Sequence, residues 1–221
     1  LATLATAHFE AALALLWPPV CPRCEARVEH PRDRFCERCW WQLRALRDPG
    51  APRLHAAFAV DSLFLEILSA GKYHGCRSVL NRLVSRAAER LDGDIPSGVL
   101  VPVPLSSSRR RERGFNQSEV FARRLAECRG IAVETRWVER SGGGSPLAGL
   151  PRSERAQAVA GKFRASRRFP GKDAPPLLLV DDVFTTGSTL ADCERALAQT
   201  GGEVRGRIVL GRAFGSRNDR A

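Results

Sequence analysis

The run Leu177-Leu178-Leu179-Val180-Asp181-Asp182-Val183-Phe184-Thr185-Thr186-Gly187-Ser188-Thr189 constrains the fold more than any other stretch of this chain. Its four leading apolar residues read as a central parallel strand covered on both faces. Two carboxylates close the strand and a loop of small hydroxyl residues follows. From Thr189 to Thr200 the period turns helical, with Leu190, Cys193 and Leu197 on one face and Gly201-Gly202 as a stop. Strand, acidic pair, polar loop and helix in that order call for an α/β domain built on a parallel sheet. The same order carries chemistry. A loop that opens a helix turns backbone N–H groups outward, and the helix dipole adds positive potential. Gly187 permits a positive φ and a close approach, and the Thr and Ser hydroxyls add donors. The product is a cradle for a phosphate monoester. Asp181 and Asp182 beside it suit ribose hydroxyls or a hydrated magnesium ion. A Walker A loop would need Gly-Lys-Ser/Thr, which this run lacks.

Other segments fit an α/β domain. Residues 77 to 91 place Val79, Leu80, Leu83, Val84, Ala87 and Leu91 on one helical face and Arg82, Arg86 and Arg90 on another, with Gly93 as a stop. Val99-Leu100-Val101-Pro102-Val103-Pro104 reads as a buried strand leading to a loop. Ser118 to Glu127 is helical, Arg207 to Leu210 is a strand, and residues 142 to 151, rich in Gly and Pro, form a loop. Arg109, Arg110, Arg111 and Arg113 fall between a strand and a helix. We expect a basic loop there, able to clamp pyrophosphate or track nucleic-acid phosphates through bidentate guanidinium contacts; a solvated arginine cluster is the plainer reading. The chain of 221 residues has a formal net charge of +11, which favours anionic partners such as nucleotides, nucleic acid or acidic surfaces.

Seven cysteines are present, and four of them form two Cys-x-x-Cys knuckles, Cys21/Cys24 and Cys36/Cys39. Four thiolates so spaced can share one tetrahedral zinc ion, whereas a redox dithiol needs only one such pair. Trp40 and Trp41, next in sequence, are expected to seal this small core or pack on the neighbouring domain. His8, His30, His55 and His74 lack ligand spacing and receive no role. The stretch Phe9–Trp17 has neither the basic start nor the cleavage site of a signal peptide and reads as a helix. No run of 18 apolar residues occurs, so no membrane span is expected. Asp48-Pro49-Gly50-Ala51-Pro52 punctuates the chain, dividing it into a zinc module over residues 1–50 and a second domain over 51–221.

The acidic pair with its hydroxyl loop resembles the phosphoribosyl pyrophosphate (PRPP) signature of type I phosphoribosyltransferases. The knuckles with Trp40, Lys72-Tyr73, Val101-Pro102-Val103-Pro104 and Arg113-Gly114-Phe115-Asn116-Gln117-Ser118, in this order, resemble the ComF family of competence proteins over nearly the whole chain. The resemblance implies a type I phosphoribosyltransferase-like α/β fold with a small N-terminal zinc module. It assigns Asp181 and Asp182 to the ribose hydroxyls, and Thr185, Thr186, Gly187, Ser188 and Thr189 to the 5′-phosphate, with Mg²⁺ accompanying PRPP. Lys72 and Arg113 would assist at the pyrophosphate, and Cys21, Cys24, Cys36 and Cys39 would hold structural Zn²⁺. It further implies a cytoplasmic role in natural transformation, handling incoming single-stranded DNA beside competence-machinery proteins, or else phosphoribosyl transfer to an acceptor the sequence does not name. The chain departs from the family pattern at Leu147, in a segment where Gln is common, and at Ala158, where Asn is common.

Overall fold

A computed structural model describes residues 19–28, 33–47, 50–72, 76–91, 95–141 and 161–214. The expected helix at Phe9–Trp17, Asp48-Pro49, Tyr73, Gly93, the loop 142–151 and Ala158 lie outside the described residues.

The centre is a four-stranded, all-parallel sheet in the order β1-β6-β5-β2: β1 is Leu54–Ala59, β2 Val99–Pro102, β5 Leu177–Phe184 and β6 Val204–Arg212. Successive side chains of a strand point to opposite faces, and β5 shows why its start is apolar throughout. Leu178 and Val180 enter one core while Leu177 and Leu179 enter the other, and all four are fully buried. The first core is closed by α2 (Ser62–Lys72), α3 (Arg77–Arg90) and α5 (Gln117–Arg129). The second is closed by α6 (Ser188–Ala198) and by the antiparallel pair β3 (Val138–Arg140) and β4 (Phe163–Ala165). Asp192 on α6, itself buried, accepts the backbone N–H groups of Gly161 and Lys162 at 3.0 and 2.8 Å and so pins the approach to β4.

The helices expected over 77–91, 118–127 and 189–200 are α3, α5 and α6, with ends moved by one or two residues. Two differences are larger. The basic segment is no loop: Ser107–Arg113 forms the short helix α4, which buries none of its residues. Ser106 caps it by accepting the Arg109 N–H, and Gly114 ends it at φ 75°, so a cap and a stop flank the arginines. Trp41 stays outside the core and meets the second domain through Arg86. It is 70% exposed, with the Arg86 guanidinium 4.6 Å from its ring centre. Trp40 does pack inward, 1% exposed, under the guanidinium of Arg82 at 4.8 Å. Arg82 also pairs with Glu37 on the short helix α1 (Glu37–Trp41) and with Asp33. Cys21, Phe35, Cys39, Trp40 and Leu43 belong to the same contiguous core as Phe58, Phe64 and Leu83, so the cysteine segment is packed onto the sheet domain.

Candidate functional site

In parallel α/β sheets the strands' C-terminal ends are where side chains and helix N-termini converge, and the expected residues gather at that end of β5. Gly187 caps α6 with φ 75°. A Cβ there would lie 2.6 Å from two ring atoms of Phe184, so the tight turn excludes any side chain. Thr185, Thr186, Ser188 and Thr189 are exposed around it, while Leu190 anchors the helix in the core. The Thr186 hydroxyl donates to Ser188 Oγ at 3.2 Å and accepts the Ser188 N–H at 3.4 Å, which holds the turn. Hydroxyls and first-turn N–H groups of an eleven-residue helix therefore face one small hollow that Asp181 also lines.

The acidic pair lies within β5, beyond the expected strand end. Alternation sends the two carboxylates to different partners. Asp181 Oδ1 accepts the Ser118 hydroxyl at 3.0 Å and the Asp182 N–H at 2.9 Å. Asp182 Oδ2 pairs with Lys72 Nζ at 3.0 Å. Burial, and then the neighbouring Asp182 charge, push the Asp181 carboxyl up to about 7, against the opposing pull of Ser118 and Lys72. One carboxyl of the pair thus sits at the edge of ionisation at neutral pH while the other is tied to a cation.

The segment Arg113–Ser118 links this pair to a neighbouring cavity. Asn116 caps α5, its Oδ1 accepting the Ser118 N–H at 3.2 Å and its Nδ2 donating to the Val103 carbonyl at 2.9 Å. The Arg113 guanidinium donates to Gln117 Oε1 at 3.3 Å. Lys72 and Arg113 line one cavity of about 500 Å³, together with Leu65, Glu66, Leu68 and Ser69. Arg109, Arg110 and Arg111 do not join them: all three are exposed on α4 and line no part of that cavity. Ser118 is the residue that sequence reasoning passed over. Its position one step into a helix that follows a strand of the same sheet was legible, but its partner is 63 residues away.

The four cysteine sulfurs lie within 4.8 Å of one another. Cys24–Cys36, Cys24–Cys39 and Cys21–Cys39 are 3.5, 3.6 and 3.7 Å apart. A disulfide would hold sulfurs at about 2.05 Å. Thiolates around a tetrahedral ion with bonds of about 2.3 Å sit about 3.8 Å apart. The donor set and spacing therefore fit a zinc ion. Cys21, Cys36 and Cys39 are buried and Cys24 faces solvent.

No protein-family model matches the chain. It is 28% identical over 191 residues to competence protein ComFC of Bacillus subtilis (strain 168), an alignment covering 82% of this chain and 72% of that one. It is 29% identical over 191 residues to DNA utilization protein YhgH of Salmonella typhimurium, covering 82% and 79% of the two chains. Among solved structures, adenine phosphoribosyltransferase from Thermoanaerobacter pseudethanolicus shares 18% identity at a TM-score of 0.36, covering 66% of this chain and 72% of that one.

Proposed function

We propose that this chain, a homologue of the ComFC and YhgH proteins over 82% of its length, binds PRPP with magnesium at the end of β5 and serves the handling of single-stranded DNA in the cytoplasm during natural transformation. The observation that carries the reading is the placing of a glycine-capped, hydroxyl-lined helix start beside an acidic pair whose partners differ. In this assignment the 5′-phosphate lies against Thr185, Thr186, Gly187, Ser188 and Thr189, where backbone N–H groups and hydroxyls donate to it. Asp181 and Asp182 accept the ribose hydroxyls, and Asp182 exchanges part of its pairing with Lys72 for them. Magnesium, when bound, supplies neutralisation of the pyrophosphate charge. Lys72 and Arg113 meet the pyrophosphate in the cavity they share, and Arg113 is held in direction by Gln117. Zn²⁺ in the four-cysteine cluster organises the N-terminal module. The DNA role draws on the names of the relatives and on the net charge of +11, and it brings proteins of the competence machinery in as partners.

The test is calorimetric titration of PRPP with magnesium into the wild type and into Asp181→Asn/Asp182→Asn. Saturable binding that the double variant weakens at least tenfold, the loss of about 1.5–3 kcal/mol per charge-assisted hydrogen bond, supports the site. Equal affinity in the two proteins refutes it. A second reading, transfer of the phosphoribosyl group, is favoured by the convergence of Lys72 and Arg113 on one cavity next to the acidic pair. It is tested by pyrophosphate release in the presence of nucleobases or ammonia.

A further inference from the structure

The cavity of Lys72 and Arg113 does not end at those residues. A second cavity of about 590 Å³ shares Glu66 and Ser69 with it and is walled on its far side by Arg34 and Phe35 of the cysteine module. Glu66, Ser69 and Lys72 are three residues apart on α2 and so form one stripe along its outer face. The two cavities together make a groove that runs from Lys72, the partner of Asp182, along α2 to the cysteine module. Each is of ordinary ligand size, and PRPP would occupy only the first. The groove's charge is also one-sided. Among the described residues that line it, Arg34, Lys72 and Arg113 are cationic and Glu66 is the one carboxylate; Arg23 meets Glu66 at 2.5 Å and Asp182 meets Lys72 at 3.0 Å, which leaves Arg34 and Arg113 to face an anion.

A cradle for a ribose 5′-phosphate at the end of β5, where Asp182 pairs with Lys72 of that groove, has the layout of a strand end. We propose that this site also accepts the 5′-phosphorylated end of a nucleic-acid single strand. The terminal phosphate sits in the Thr185–Thr189 loop and the following phosphates lie in the groove between α2 and the cysteine module. Only the terminal phosphate of a strand is a monoester, and the hydroxyls and helix-start N–H groups of the loop are suited to a monoester rather than to a diester passing through. A strand's first phosphodiester occupies its 3′ oxygen and DNA has no 2′-hydroxyl, so Asp182 would keep its pairing with Lys72 and Arg113 would meet the first phosphodiester; the shared terminal-phosphate cradle makes the two ligands exclude each other. Arg34 takes the next phosphate, and the cysteine module becomes a wall of the binding site.

This inference rests on the reading of the loop as a phosphate cradle, and the experiment separates the two. Fluorescence anisotropy is measured on a single-stranded DNA of about five nucleotides, labelled at its 3′ end, with and without a 5′-phosphate, in magnesium at fixed salt. The phosphorylated strand binds at least about tenfold more tightly, a difference of about 1.4 kcal/mol, and unlabelled PRPP displaces it. Arg34→Glu, which reverses the far charge, and Arg34→Ala, which removes it, each weaken the phosphorylated strand while PRPP affinity and zinc content stay at wild-type values. Equal affinity for the two strands overturns the proposal, as does strand binding that both variants leave intact. PRPP binding without any strand binding defeats this inference alone. Binding of the phosphorylated strand without PRPP binding defeats the PRPP reading alone.

Discussion

Replacing Asp181 by Asn is expected to make the protein more stable and less able to bind its ligand. Asn has the shape of a protonated aspartic acid and keeps an oxygen to accept the Ser118 hydroxyl and the Asp182 N–H. It removes the charge whose burial, beside Asp182, pushes the Asp181 carboxyl up to about 7. In the unfolded chain that carboxyl titrates near 3.9, and its rise to about 7 corresponds, at about 1.4 kcal/mol per tenfold change in proton affinity, to a folded-state penalty of up to about 4 kcal/mol above neutral pH. The sign follows from proton binding. Between about pH 4 and pH 7 the native state holds this proton more firmly than the unfolded state does, so stability falls as pH rises through that window. Asn is insensitive to pH. The variant should therefore exceed the wild type by about 2–4 kcal/mol at pH 8, or about 6–12 °C in melting temperature for a chain of this size, and the gap should shrink towards zero near pH 4. Thermal unfolding of zinc-loaded protein without magnesium, scanned from pH 4 to pH 8, measures it. A variant no more stable than wild type at pH 8, or a gap that does not change with pH, would refute the reasoning.

Purified without chelators, the protein should contain one zinc per chain by elemental analysis, and Cys24→Ala, at the exposed member of the cluster, should lose it. Gly187→Ala should destabilise by about 2–4 kcal/mol in urea unfolding, because a left-handed residue with a Cβ costs about 1–2 kcal/mol and the clash with Phe184 adds a similar amount. Arg109→Ala/Arg110→Ala/Arg111→Ala should leave PRPP affinity within about twofold of wild type, since these residues stand outside the Lys72–Arg113 cavity, and should flatten the salt dependence of single-stranded DNA binding, whose slope is about −0.7 per phosphate contacted. A large loss of PRPP binding in that variant would return the three arginines to the pyrophosphate.

The parts of the fold that were legible in sequence are those where local chemistry leaves one answer. Leu177–Val180 has no polar face to offer solvent, so both faces must be covered, and they are. Gly187 stands where a helix start meets an aromatic ring, and the cysteine knuckles carry their spacing openly. Strand β1 was missed because His55-Ala56-Ala57 has neither alternation nor β-branched residues, and its strand state is imposed by pairing with β6. Helix α2 did carry a start signal, as Asp61 accepts the Phe64 N–H at 2.9 Å, but its apolar run Leu63-Phe64-Leu65 obscured the period. In the basic segment the helix is set by Ser106 and Gly114 at its ends, while the repeated arginines between them bury nothing and carry no apolar period. The pairing of Lys72 with Asp182 depends on where α2 ends relative to β5, and no local pattern encodes that.

Helix α3 stands between the cysteine module and the rest of the first core, its Arg82 and Arg86 gripping Trp40 and Glu37 from one side while Leu80, Leu83 and Ala87 face the core shared with the sheet. A small module joined through so continuous an interior cannot melt by itself without stripping cover from the neighbouring helix. With zinc in the cluster, metal binding then becomes a term in the folding equilibrium of the entire chain, growing with the logarithm of free zinc. A cell short of the metal would hold less of this protein even at unchanged synthesis, because the unliganded fraction is drawn off by proteolysis.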